Sequence, residues 1–463
     1  MEDVTGGSAS SPARPGGFGL RGMKGFTAVW AGQFVSILGT SMTNFALTIW
    51  AWEKTGEATA LALVGFSFVA PYILMSPFAG ALVDRWNRKL VMMLSDLAAG
   101  ASTLAVLLLF ASGRLEVWHL YVTSAFAGAF QAFQFPAFSA AITLMLDKEQ
   151  YARANGMMSL AHSASNIFAP VAAGILLPIV GIGGIMAFDV VSFLAAVGAL
   201  ALIHVPQPQA REREKPSLLQ DSMFGFRYIL GRPSLLGLQL IFLVSNFTGS
   251  IGFSLLAPMI LSRTGNDNLI LGSVQSAFGV GGVIGGLVIS AWGGPRRKVN
   301  GLLLGLTSSS LLGMTTMGLG RGVAIWVAAA FVLMFVNPIT NGCSQAIWQS
   351  KIPPELQGRV FSTRALIAQA SQPLAMFIAG PLADRLAEPA MMPGGALALP
   401  LGWLVGTGPG TGMALIFVAA GIIGASTSLA GYVFDAIRNV EEIIPDHDVT
   451  ASPEVETSIA TRG

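Results

Sequence analysis

Long apolar segments separated by short polar ones make up most of this chain. A helix needs about 20 mostly apolar residues to cross about 30 Å of hydrocarbon, and the apolar segments here are roughly of that length. The pattern therefore predicts twelve transmembrane helices, which end at charged residues, Gly or Pro. Their predicted ranges are 26–50, 60–83, 90–111, 119–146, 154–180, 183–204, 235–261, 269–292, 299–319, 323–346, 360–384 and 411–436.

One long polar interruption divides the predicted helices into two groups of six. Residues 205–234 hold several prolines and alternating Arg and Glu, and apolar residues recur loosely along one side of 217–230. We predict a linker there that includes a short helix lying on the membrane surface. The predicted regions are a disordered cytoplasmic tail at 1–25, a first bundle at 26–204, the linker at 205–234, a second bundle at 235–436 and an acidic cytoplasmic tail at 437–463.

The composition is that of an integral membrane protein. Hydrophobic residues make up 53% of the chain and charged residues only 11%, whereas soluble proteins carry about 25% charged residues. The first 22 residues have no apolar core, so we expect a retained tail and not a cleaved signal peptide. The single cysteine, Cys343, excludes an internal disulfide and a Cys-based metal cluster. We expect no metal, no other cofactor and no nucleic-acid partner.

The distribution of basic residues predicts the orientation, because Lys and Arg are enriched on the cytoplasmic side of membrane proteins. If the N-terminal side is cytoplasmic, the opposite side receives only five, which leaves 21 of the 26 Lys and Arg residues on the cytoplasmic side. We therefore expect both termini and the linker to be cytoplasmic. The five residues on the opposite side are Lys54, Arg114, Arg263, Arg321 and Arg385.

A charged loop follows the second predicted helix, with the sequence Gly80-Ala81-Leu82-Val83-Asp84-Arg85-Trp86-Asn87-Arg88-Lys89. Together with two weaker elements, at 355–362 and 188–193, it resembles the signatures of the major facilitator superfamily. Residues 26–436 are similar to the exporter branch of that family, which includes macrolide-efflux and enterobactin-exporter-like proteins. Asn87 stands where the general signature has Gly, and we expect it to adopt the left-handed turn conformation that Asn tolerates.

The resemblance implies an all-α membrane protein whose twelve helices form two pseudo-symmetric six-helix bundles. It also implies a monomeric secondary transporter of the bacterial plasma (inner) membrane. Such a protein exports a hydrophobic or amphipathic small molecule, for example a drug, a siderophore or a secondary metabolite, by alternating access. We expect proton entry to drive export, since the sequence contains no phosphate-binding loop for ATP. Residues 169–174 are similar to the family's antiporter element, with Ala in two of its Gly positions.

The resemblance also assigns a conformational latch to the charged loop. In the family the acid that matches Asp84 joins the ends of the two bundles, and here its partner would be the start of the eleventh helix. The competing interpretation is a solvated loop charge that only sets orientation. The corresponding loop of the second half, 292–298, keeps the bases but has no matching acid. The predicted latch residues are Gly80, Asp84, Arg85, Arg88, Lys89, Arg359 and Arg364.

Asp96 and Asp189 lie inside predicted helices, several residues from either end. An ionised carboxylate in hydrocarbon costs about 2.5–3.5 kcal/mol, so such a residue usually faces a cavity or a partner. Asp189 in the sixth helix is our candidate proton site, with a structural anchor for nearby hydroxyl groups as the alternative. Asp96 lies early in the third helix, where we expect it to snorkel or to cap a loop.

Side-chain amides concentrate on the helices that line the family's central cavity, which are the first, fourth, seventh and tenth. With the aromatic rings near them, they would suit a bulky, amphipathic and largely neutral ligand. Interhelical hydrogen bonding is the alternative role for each amide. The candidate cavity residues are Gln33, Asn44, Gln131, Gln134, Asn246, Asn337, Asn341 and Gln345.

Three other functions stay open at this point. A lysophospholipid flippase or an importer could use the same fold, and a non-transporting scaffold or receptor is a more remote alternative. An enzyme is not expected, because the four histidines form no metal-binding or catalytic spacing.

The eighth predicted helix contains the glycine-rich segment 281–286. Small residues four apart let membrane helices approach closely. We expect this segment to pack within one bundle and not to form a dimer interface.

Overall fold

The computed structural model describes residues 22–83, 87–146, 150–202 and 218–446. Most of the two predicted tails and the first part of the linker, residues 205–217, lie outside the described residues. The helices are α1 (Gly22–Thr55), α2 (Ala58–Val83), α3 (Arg88–Ala111), α4 (Val117–Met145), α5 (Tyr151–Leu202), α6 (Leu218–Leu230), α7 (Pro233–Thr264), α8 (Asn268–Trp292), α9 (Lys298–Ser308), α10 (Thr316–Leu319), α11 (Val323–Lys351), α12 (Pro354–Pro381), α13 (Glu388–Met391), α14 (Ala398–Val405), α15 (Thr411–Val433), α16 (Asp435–Arg438) and α17 (Val440–Ile443). Two π-helical segments, Ser309–Thr315 and Leu382–Ala387, follow α9 and α12.

The described helices account for all twelve predicted spans. Ten described segments are long and apolar enough to cross a membrane. One of them, Leu160–Leu202, contains two spans, because Gly181 interrupts the helical backbone with a φ of 67° and a ψ of 177°. α4 supplies the twelfth span, with 29 residues and no Asp, Glu, Lys or Arg.

The spans form two bundles, which we call the first half (α1–α5) and the second half (α7–α15). In the first half α1 packs along α5, and α4 packs between α2 and α3. In the second half α11 packs along α8 and α9, and α7 packs against α12 and α15. We name the two ends of the molecule after one turn each. The Gly56 end holds the α1–α2 turn, and the Asn87 end holds the α2–α3 turn.

The predicted eleventh span is longer in the structure than its predicted range of 360–384. It begins at Pro354, because the first turn of a helix does not need the N–H that proline lacks. Beyond Pro381 it continues through the π-helical segment Leu382–Ala387 into α13. Such π-segments are frequent at functional sites, and this one carries Asp384.

α6 lies within the stretch where the sequence predicts a surface helix. Ile229 near its end is buried with Leu235 in a core cluster of the second half. The guanidinium of Arg232 lies 3.6 Å from the centroid of the Tyr228 ring, which fixes the turn into α7. α6 therefore packs on the second half.

Asn87 begins α3 in a different way from our expectation. Its φ of −64° and ψ of 112° are extended and not left-handed, and its side chain accepts the backbone N–H of Leu90 at 3.2 Å. Asn is among the best residues for this capping position because its side-chain oxygen satisfies a free N–H of the first turn. The turn therefore works as a helix cap, and it does not need the glycine of the general signature.

The glycine-rich segment of α8 packs against α11, as we expected. A Cβ added to Gly281 or Gly285 would collide with the backbone carbonyl of Phe331 or Phe335. Gly282 and Gly286, one position further on, have open space instead. The close approach therefore joins two helices of the same bundle.

Candidate functional site

Polar contacts join the two halves at the Gly56 end. Oδ1 of Asp384 accepts the backbone N–H of Ala58 at 3.0 Å, and Oδ2 accepts the N–H and the hydroxyl of Thr59 at 2.7 and 2.5 Å. Nε1 of Trp52 donates to Oδ1 of Asn266 at 2.9 Å. Asp384 thus caps the N-terminus of α2 from the opposite half, where a carboxylate is also favoured by the helix dipole.

Between residues that the structure describes, the hydrogen bonds that join the halves lie towards the Gly56 end. The described hydrogen bonds between them reach only as far as Ser276, whose hydroxyl donates to the carbonyl of Ile167 at 2.5 Å. An apolar cluster on the Gly56 side includes residues of both halves, such as Ile49 and Leu255. Nearer the Asn87 end each half has a core of its own. Within the part of the chain that the structure describes, these contacts indicate that the halves separate towards the Asn87 end.

Asp96 joins three helices of the first half. Its Oδ2 accepts the amide nitrogen of Gln33 on α1, and its Oδ1 accepts that of Gln134 on α4, each at 2.7 Å. Asp96 is only 9% exposed, so the expectation that it snorkels or caps a loop is wrong. The physical reason is that α1 and α4 bring one amide to each carboxylate oxygen. The other amide atom of Gln134, Oε1, is buried without a described partner.

Asp189 is surrounded by hydroxyl groups between α1, α3 and the later part of α5. Thr40 donates to its Oδ1 at 2.9 Å and Thr103 to its Oδ2 at 3.1 Å, and the residue is only 1% exposed. Gly39 allows this close approach, because a Cβ there would lie 3.1 Å from Asp189 Oδ1. These are the hydroxyl contacts of a structural anchor, and the proton-site assignment stays a prediction.

Three of the predicted cavity amides share one face of α11. Asn337, Asn341 and Gln345 follow at intervals of four residues, which places them in a row along a helix. Nδ2 of Asn341 donates to Oδ1 of Asn337 at 3.1 Å. Both asparagines are exposed although they lie well inside a membrane helix. Exposed amides are unfavourable in hydrocarbon even when they bond to each other in part, so this face indicates contact with a water-filled space.

The remaining predicted amides are distributed over both halves. Asn44 and Gln131 in the first half are exposed, and Asn246 in the second half is partly buried. Each lies near the middle of its helix. The structure therefore gathers Gln33 and Gln134 into one cluster and the α11 amides into a second, on opposite halves.

Arg364 lies inside α12 and turns towards α11. Its Nη1 donates to Oε1 of Gln345 and its Nη2 donates to Oγ of Ser344, each at 2.8 Å. The guanidinium carbon is 5.1 Å from the centroid of the Trp348 ring and 5.9 Å from that of Phe242. The last amide of the α11 face is therefore held by a cationic side chain.

The predicted latch is described only in part. Asp84 and Arg85 lie outside the described residues, and so do the side chains of Arg88 and Arg359. Gly80 lies within α2 near its end. Nζ of Lys89 donates to the carbonyl of Ala201 at 2.7 Å, within the first half. The latch therefore stays a prediction.

The second half obtains an acid at its corresponding loop from the C-terminal segment. The two side-chain oxygens of Glu441 accept the backbone N–H groups of Lys298 and Val299 at 3.0 and 3.1 Å, which caps α9. The buried ammonium of Lys351 donates to the Glu441 carbonyl at 2.6 Å. The first residues of the predicted acidic tail are thus part of the folded second half.

Sequence reasoning missed Asp384, although a signal for it exists. The segment Gly380-Pro381-Leu382-Ala383-Asp384-Arg385 repeats the spacing Gly-x-Leu-x-Asp-Arg of the charged loop that begins at Gly80. Asp384 lies at the opposite end of the molecule from that loop. The loop of the second half that corresponds to the Gly80 loop is 292–298, so a comparison of corresponding loops does not find Asp384. No comparable signal in the sequence points to Glu441.

Known proteins that are similar to this chain include efflux transporters. The family model of the Major Facilitator Superfamily matches residues 29–376. Macrolide efflux protein A of Streptococcus pyogenes is 28% identical over 369 residues, which covers 78% of this chain and 90% of that protein. Multidrug efflux pump Tap of Mycolicibacterium fortuitum is 25% identical over 371 residues, which covers 78% of this chain and 88% of that protein.

Solved structures support the same fold. A bacterial homolog of the human lysosomal transporter Spinster, in an inward-facing and unoccupied conformation, superposes with a TM-score of 0.63 at 15% identity, covering 88% of this chain and 97% of that one. A bacterial homologue of the iron transporter ferroportin in an inward-facing state gives a TM-score of 0.61 at 15% identity, covering 88% and 99%. The chain is thus a multi-pass membrane transporter and not an enzyme, and it belongs to the Major Facilitator Superfamily.

Proposed function

We propose that this transporter exports a hydrophobic or amphipathic small molecule by alternating access and that proton entry drives the export. One observation carries the proposal. Among the described residues, the halves are joined at the Gly56 end by Asp384 and have separate cores nearer the Asn87 end, and helices of both halves carry exposed amides such as Gln131 and Asn341. Rocking the halves about such a site would expose it to each side of the membrane in turn.

The proposed orientation places the Asn87 end in the cytoplasm of a bacterial cell. The distribution of Lys and Arg favours this side, and both termini then lie on it. Relatives named as efflux proteins support export as the direction.

The proposed latch would stabilise the opposite state. When the Asn87 end closes, Asp84 would come close to the start of α12, where Arg359 lies. Gly80, Arg85, Arg88 and Lys89 would shape that contact. Asp384 would release the N-terminus of α2 at the same time, so the two ends would open alternately.

Flux into proteoliposomes with an imposed pH gradient tests the proposal. We expect a fluorescent amphipathic drug to move against its gradient when protons flow the other way and to stop when a protonophore is added. The Asp384→Ala variant and protein-free liposomes are the comparisons. A flux that does not depend on the pH gradient would contradict proton coupling.

The same vesicles separate the alternative functions. Movement of a fluorescent lysophospholipid between leaflets, without drug flux, would identify a flippase. Uptake in the reverse direction would identify an importer. Binding without movement of either probe would favour a scaffold or receptor and would contradict the proposal.

A further inference from the structure

We infer that the ligand of this cavity carries an anionic group and that Arg364 binds it. This inference rests on the proposed function and names the substrate class of the same site. It changes the expectation of a largely neutral ligand. The observation behind it is a cationic side chain in a membrane helix whose partners are all neutral.

Arg364 has no acidic partner among the described residues. Its guanidinium donates to Gln345 and Ser344, and the rings beside it belong to Trp348 and Phe242. Arginine stays protonated in proteins, so these contacts orient the positive charge and leave it uncompensated. Charged residues at membrane depth usually pair or mark a substrate pathway.

The guanidinium is also set up to accept a ligand. It has five N–H donors. One N–H of Nη1 and one N–H of Nη2 donate to the described acceptors. The remaining donors match the two oxygens of a carboxylate or a phosphate, which Arg binds in a bidentate manner. Trp348 and Phe242 supply apolar surface beside the charge, as an amphipathic ligand requires.

Arg364 is partly buried and lies beside the row of amides on α11. Gln345 continues the row of Asn337 and Asn341, and those two amides are exposed. An anionic ligand entering from the Asn87 end would therefore meet amide donors and the guanidinium on the same wall. In the first half the amides of Gln33 and Gln134 are held by the carboxylate of Asp96, whose negative charge would repel an anionic ligand.

Binding of a matched pair of ligands tests the inference. A dansyl-labelled fatty acid and its methyl ester have nearly the same apolar surface and differ in charge. We expect purified wild-type protein in nanodiscs to bind the acid at least about 10-fold more tightly than the ester, as charge-assisted hydrogen bonds require. In Arg364→Gln the preference for the acid should disappear, while the affinity for the ester stays the same.

Two further variants make the result specific. Arg364→Lys keeps the charge but not the bidentate geometry, so it should retain part of the preference. Arg321→Gln removes one positive charge far from the opening, where Arg321 donates to the carbonyl of Trp403 at 2.9 Å, and should leave the preference intact. Equal affinities of wild-type protein for acid and ester, or equal losses of both in Arg364→Gln, would overturn the inference.

The binding measurement is independent of transport. If the protein binds the acid selectively but moves neither probe, the proposed function fails and the anion site stands. If flux is proton-driven but equal for acid and ester, and Arg364→Gln changes neither, the function stands and the anion site fails. A latch role of Arg364 would lower the flux of both probes to the same extent without changing their relative affinities.

Discussion

The carboxylate of Asp384 reaches across the interface between the halves and accepts both the N–H and the hydroxyl of Thr59. Hydrogen bonds to charged groups contribute about 1.5–3 kcal/mol. We therefore predict that Asp384→Ala shifts the equilibrium towards opening at the Gly56 end by about 10-fold or more. The rate at which a membrane-impermeant reagent labels a cysteine placed beside Thr59 measures this shift.

A second acid provides the control for that prediction. Asp267 also caps a helix, since its Oδ1 accepts the N–H groups of Leu269 and Ile270 at 2.9 and 3.0 Å, but all three residues belong to the second half. Asp267→Ala should lower stability without changing the labelling rate. Equal labelling in both variants would show that Asp384 does not hold the halves together.

The glycines of α8 make a matched set for helix packing. Gly285→Ala should destabilise the second half by about 1–3 kcal/mol, because its methyl group would collide with the backbone of Phe335. In Gly286→Ala the methyl group would point into open space, so this variant should be tolerated. Thermal unfolding of the two purified variants checks this. Similar losses in both would contradict the packing of α8 on α11.

Glu441 should stabilise the second half through its cap on α9. We predict that Glu441→Gln lowers the free energy of unfolding by about 0.5–2 kcal/mol, the range seen when helix caps are lost. The neighbouring Glu442 pairs with Arg297 at 2.7 Å, with side chains 70% and 46% exposed. Exposed pairs contribute about 0–1 kcal/mol, so Glu442→Gln should have the smaller effect in the same unfolding experiment.

The two buried carboxylates of the first half should have different roles. If Asp189 is the proton site, Asp189→Asn abolishes the acceleration of flux by a pH gradient and leaves ligand binding intact. Asp96→Asn should instead weaken ligand binding, because Gln33 and Gln134 lose the group that positions them. Parallel measurements of flux and affinity separate the two. A pH response that survives in Asp189→Asn and vanishes in Asp96→Asn would reverse the assignment.

The sequence could predict many of the residues of the candidate site, but not which of them contact each other. The α11 amides were identifiable because their spacing of four residues places them on one helix face. The pairing of Gln33 and Gln134 with Asp96 was not, because it depends on how three helices rotate about their axes. Arg364 was assigned to the latch from its nearness to the start of its helix, and its contacts with Ser344 and Gln345 became visible only in the packed bundle.

The sequence by itself determined the class of fold, because hydrocarbon thickness requires helices of a certain length and the apolar segments meet that requirement. It also determined the division into two sets of six helices. Only the tertiary structure decided which residue joins the two halves at the Gly56 end. Asp384 reaches Thr59 from a helix more than three hundred positions away in the chain, and local spacing carries no information about a contact of that kind.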